Sequence, residues 1–84
     1  MKNLADELQK KLSKLYEPSS LVQMKFGGND IAFKTGEKGN PVLLFIGKTN
    51  PEGKIKGSRY TRVLKFDPKG NKIKDHWDLK GKAG

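Results

Sequence analysis

Cysteine is absent from the 84 residues, which excludes disulfides, a thiolate zinc centre and a thiol nucleophile. Histidine occurs once, as His76, so a multi-histidine metal cluster is excluded, and neither a metal site nor a cofactor is expected. Long hydrophobic runs are missing too. The longest, Val42 to Ile46, falls far short of the roughly 20 apolar residues of a membrane-spanning helix, so no membrane role is expected. The opening MKNLADELQKKL carries acids and no apolar stretch; it does not read as a signal peptide, and the cytoplasm is the expected compartment. Hydrophobic residues make up 33% of the chain, enough at this length for one core and a single domain over 1–84.

Acidic residues are the other shortage. Nine Asp and Glu face eighteen Lys and Arg, a net charge of +9. The excess is uneven: residues 1–42 hold seven basic and five acidic side chains, residues 43–84 eleven and four. A field so concentrated attracts polyanions, nucleic acid first among them. A solubilising lysine surface is the plainer explanation, but it does not account for the concentration in one half.

Hydrophobic spacing gives the architecture. Leu4, Leu8, Leu12 and Leu15 form one stripe of a 3.6-residue repeat. Asn3 is a suitable N-cap, Asp6 and Glu7 suit the first turn, and Pro18 stops the helix. A helix over 3–16 is predicted. From Leu21 the period becomes two: Val22, Met24 and Phe26, the turn residues Gly27 to Asp30, then Ile31 and Phe33 read as a hairpin. Val42 to Ile46 is apolar on both faces and reads as the central strand. A long strand over about 55–66, the turn Asp67-Pro68-Lys69-Gly70 and a strand from Asn71 to Trp77 complete the pattern. The expected fold class is α+β, one N-terminal helix packed on an antiparallel sheet of about five strands spanning 21–77. The glycine- and lysine-rich 79–84 is expected to be a flexible tail.

Two groupings bear on chemistry. Gly47-Lys48-Thr49 after a strand has the ending of a phosphate loop, but Val42 stands where that motif needs its first glycine and Pro51 obstructs the following helix. That grouping is set aside. In the second, Arg59, Tyr60, Arg62 and Lys65 share one strand, and Lys72, Lys74, His76 and Trp77 its hairpin partner. A four-residue loop places Thr61 beside His76 and Tyr60 beside Trp77. A three-residue loop with a glycine bulge places Arg62 across from His76. Histidine exchanges protons near neutral pH, arginine stabilises charge on a phosphate, and Tyr60 or Trp77 can stack on a base. Asp75 or Asp78 would orient the imidazole. Because the ribose 2′-OH supplies the nucleophile, metal-independent RNA cleavage is within reach of His76, Arg59 and Arg62, with Tyr60, Lys65, Lys72, Lys74 and Trp77 binding the strand. The alternative is a non-catalytic nucleic-acid-binding module, or an adaptor or inhibitor that binds an acidic protein surface. A solvated cationic hairpin with a surface histidine is the bland reading of the same residues.

The segment RYTRVLKFDPKGNKIKDHWDLKGKA, residues 59–83, resembles the C-terminal toxin domains of bacterial polymorphic and contact-dependent inhibition systems. The resemblance rests on a basic strand, a turn and a strand ending in His-Trp-Asp. It implies a small ribonuclease with a helix against an antiparallel sheet and an acidic immunity protein as partner. His76 would then be the acid/base group and Arg59 and Arg62 phosphate ligands, with Tyr60 secondary. The chain departs from that pattern in lacking a second histidine. It also opens with Met1 on its own helix, which fits a free-standing phage or mobile-element protein equally well.

Overall fold

The computed structural model describes residues 6–83. They form one short helix, α1 (Asp6–Leu12), followed by β1 (Leu21–Phe26), β2 (Asn29–Thr35), β3 (Pro41–Thr49), β4 (Ile55–Phe66) and β5 (Lys72–Ala83). The strands pair antiparallel in chain order, β1-β2-β3-β4-β5, so β3, which contains the apolar run, is central as its composition predicts.

Turn chemistry explains why the meander is so regular. Phe26 pairs with Asn29 across a two-residue turn in which Gly27 has φ +59°, a conformation glycine adopts without steric cost. The next three turns share one geometry. Gly36, Asn50 and Asp67 each donate N–H to the carbonyl four residues on, and accept from the glycine three residues on. Those glycines, Gly39, Gly53 and Gly70, have φ between +86° and +90°. This is the three-residue hairpin loop closed by a left-handed glycine. In two of the three a side chain reinforces it. Asn50 Oδ1 accepts from Glu52 N and Lys54 N, and Asp67 Oδ1 from Lys69 N and Asn71 N. The Asn71 N–H foremost holds the Asp67 carboxyl below the usual carboxylate range.

Leu8 and Leu12 of α1 join Ile31, Phe33 and Leu44 in one buried cluster. Val22, Met24, Phe26 and Ile46 are half-buried around it; the first three lie on β1, a sheet edge with a neighbouring strand on one side alone. The predicted helix end is corrected: α1 stops at Leu12, not at residue 16, and Leu15 is 68% exposed. The reason lies outside the helix. Tyr16 Oη donates to Lys11 O at 2.6 Å and Arg62 Nη1 to Leu12 O at 3.2 Å, so a nearby hydroxyl and a guanidinium from β4 take the last carbonyls. Tyr16 N meanwhile donates to Gly39 O, which draws the chain onto the sheet. Its ring then meets Phe33 edge-on at 4.9 Å. Asn3 and Leu4, the expected helix start, lie outside the described residues.

The expected flexible tail is also corrected. Leu79 pairs with Tyr60, Gly81 with Arg59 and Ala83 with Gly57, so β5 continues to the end of the described chain. The twelve residues of β4 offer a ladder that needs no apolar side chains on its partner, and a bulge between Leu79 and Gly81 accommodates the glycine.

Candidate nucleic-acid interface

Neither expected register holds along the whole β4–β5 hairpin. At the turn, Asp67 N donates to Asn71 O at 2.8 Å and Phe66 pairs with Lys72, as the three-residue loop requires. One step further Lys65 pairs with Lys74, so Ile73 is an extra residue on β5, a β-bulge. Beyond it Arg62 lies across from Trp77 and Val63 across from His76. Successive side chains on a strand point to opposite faces, so this single inserted residue puts Arg62 and His76 on opposite sides of the sheet.

The α1 side takes Tyr60, Arg62 and Trp77. Tyr60 lies across from buried Leu44, and both Tyr60 and Trp77 pack against the core cluster. The Arg62 side chain is 3% exposed. Its Nε and Nη2 donate to the two oxygens of Asp75 at 2.6 and 2.8 Å, a bidentate pair between diagonal cross-strand neighbours. Nη1 donates to Leu12 O and to Pro41 O at 3.1 Å, and the guanidinium carbon sits 5.6 Å from the Trp77 ring centroid. One cation thus ties the helix C-terminus, the start of β3 and β5 to β4. Arg62 chiefly holds the Asp75 carboxyl below its usual range. Lys72 shares that carboxylate at 3.1 Å.

The opposite, open face takes Arg59, Lys65, Lys74 and His76. Lys65 and Lys74 are directly opposed, next to the Val63–His76 pair, and Arg59 lies further along β4 across from Phe45. His76 Nε2 is 3.3 Å from Asp78 Oδ2, so of the two candidate orienting carboxylates Asp78 stands beside the imidazole, while Asp75 belongs to Arg62. Among the described residues no carboxylate pairs with Arg59, Lys65 or Lys74. Also among the described residues, no three side chains are grouped as metal ligands, and no helix is long and apolar enough to cross a membrane.

Of the eight sequence-predicted site residues, then, four share the open face and Arg62, Tyr60 and Trp77 are spent on the other side, while Lys72 is drawn to Asp75. Sequence reading gave Phe45 no role beyond its place in the apolar central strand. Its alternation with buried Leu44 was the available signal. The arrangement on the open face is a row of uncompensated cations along β4 and β5 with an imidazole–carboxylate pair among them. No known family model matches this chain, and neither a curated protein nor a solved structure shows significant similarity to it.

Proposed function

We propose that the open face of β4 and β5 binds nucleic acid, RNA in preference to DNA, through Arg59, Lys65 and Lys74. The directly opposed Lys65 and Lys74 carry this reading. Like charges placed opposite each other destabilise a sheet, and a phosphate between the two ammonium groups turns that repulsion into attraction. A solvent-facing sheet is also a common platform for single-stranded RNA. The whole chain's net charge of +9 adds long-range attraction to the local contacts. Lys65→Ala and Lys74→Ala should each weaken binding of a single-stranded RNA with little change in fold, since both side chains are exposed. Retention of an acidic protein and no RNA at about 150 mM salt would instead favour the protein-partner alternative.

The His76–Asp78 pair favours a ribonuclease on the same face. His76 would take the 2′-OH proton as that oxygen attacks phosphorus, and return it to the departing 5′-oxygen, leaving a 2′,3′-cyclic phosphate. Lys65 and Lys74 would stabilise the charge on phosphorus. The expected result is cleavage of total RNA in excess EDTA. His76→Ala should lower the rate about 10²–10⁴-fold with RNA binding retained. Intact RNA with and without EDTA overturns the enzyme reading and leaves the binding one.

A further inference from the structure

The open face carries a groove of about 410 Å³ at its β1–β2 end, within the size range of small-molecule sites. Its cause is a pair of glycines. Gly47 and Gly57 lie directly across from each other on β3 and β4. A Cβ on Gly47 would stand 1.8 Å from Lys56 O, and one on Gly57 1.9 Å from Ile46 O. With no side chains between them the two backbones cross closely, and the distal end of the hairpin comes over β1 and β2. There Thr49 N donates to Asp30 Oδ2 at 2.9 Å and the Lys48 ammonium donates to Gly28 O. Ile55 then becomes one wall of the groove and Leu21 the other, with Ala32 and Phe45 as the floor and Lys34 and Lys54 at the mouth.

Two features define what fits. The groove is apolar inside and cationic at its rim, which suits a planar apolar group attached to an anion. Its floor also joins the row of cations, because Phe45 is the residue directly across from Arg59. Among the described residues Phe45 is the one Phe, Tyr or Trp on this face, since Phe26, Phe33, Tyr60, Phe66 and Trp77 lie on the α1 side and Tyr16 packs against Phe33 there. A base that stacks on the open face therefore stacks there.

We propose that this groove takes an unpaired nucleobase, stacked on Phe45, of a strand whose phosphates follow Arg59 toward Lys65 and Lys74. The inference rests on the nucleic-acid reading above and narrows the ligand to single strands, because the bases of a duplex are stacked inside it. Lys34 and Lys54 take the phosphates that flank the base, and the Gln23 amide, also lining the groove, reaches its polar edge.

The test titrates the full chain with a mixed-sequence 12-nucleotide RNA, single-stranded and annealed to its complement, while methyl resonances of Ala32 and Ile55 are followed by NMR. The single strand should bind more tightly and shift both methyls. Phe45→Leu, which keeps apolar volume but removes the ring, should weaken single-strand binding roughly 5- to 150-fold with the salt dependence unchanged, and Phe45→Tyr should restore it. The wild-type methyl shifts keep the test decisive if Phe45→Leu folds poorly. Equal binding of both RNAs, unshifted methyls and no effect of Phe45→Leu overturn the groove while leaving the cationic face standing. A loss in Phe45→Leu but none in Lys65→Ala or Lys74→Ala supports the groove and overturns the cationic face. No binding of either RNA overturns both. Methyl shifts caused by decanoate and not by RNA assign the groove to an alkyl chain and overturn the proposal.

Discussion

Arg62→Ala should cost about 3–5 kcal/mol of folding stability, the usual penalty for removing one partner of a buried ion pair. Four hydrogen bonds to three elements leave with it. Asp75 keeps Lys72, but Leu12 O and Pro41 O lose a charged donor. The Asp75 side chain is 24% exposed, so water reaches it and the lower end of the range applies. Urea denaturation of Arg62→Ala, Asp75→Ala and the double variant measures the pair directly. Arg62→Lys should not rescue, because one ammonium cannot span Asp75 and two carbonyls. The same pair sets an acid limit. Because Arg62 lowers the folded-state pKa of Asp75, its contribution is complete above the unfolded carboxylate value of about 3.9. It is lost as pH falls through the lower folded value. Unchanged stability in Arg62→Ala together with weakened RNA binding would make Arg62 the phosphate ligand that its place in the sequence suggests, and would contradict the arrangement described above.

The second large effect is at Leu12. Its side chain is fully buried, and its carbonyl is one of the acceptors of Arg62. Leu12→Ala should cost about 2–5 kcal/mol. A domain of this length holds only roughly 4–13 kcal/mol in total, so the thermal midpoint should fall sharply. The cost should combine non-additively with Arg62→Ala, since the two residues are in contact and a shift of the Leu12 backbone on losing its side chain displaces the carbonyl that Arg62 holds. Leu15→Ala should stay within about 0.5 kcal/mol, because Leu15 is exposed. A comparable loss at Leu15 would mean that the leucine stripe continues as a helix beyond Leu12.

These two sites also mark where sequence reasoning stops. Period-two alternation and glycine-bearing turns are local properties, and they located the strands, the first and last hairpins and the central place of Val42 to Ile46, while the full strand order came from the fold. The face on which a β4 or β5 side chain lies is not local. It depends on one extra residue, Ile73, between Lys72 and Lys74, and a slip of one residue exchanges the faces of everything beyond it. Both loop choices weighed from sequence were therefore incomplete: the three-residue loop holds at Asp67 but not at Arg62. The helix end escaped for a similar reason. Pro18 sets an outer limit, but the termination at Leu12 comes from Tyr16 and from Arg62, fifty residues away. The cationic composition of the second half was legible throughout. Which cations stand together was legible only in the register.

The most direct test of the cationic face is the salt dependence of RNA binding. For a single-stranded RNA, log K should fall linearly with log salt, and each phosphate contact contributes about 0.7 to the slope. Removing Lys65 and Lys74 together should therefore reduce the slope by about 1.4, with the thermal midpoint unchanged or slightly raised once their mutual repulsion is gone. Failure of the wild-type protein to bind RNA at low salt, or an identical slope in the double variant, would contradict the account.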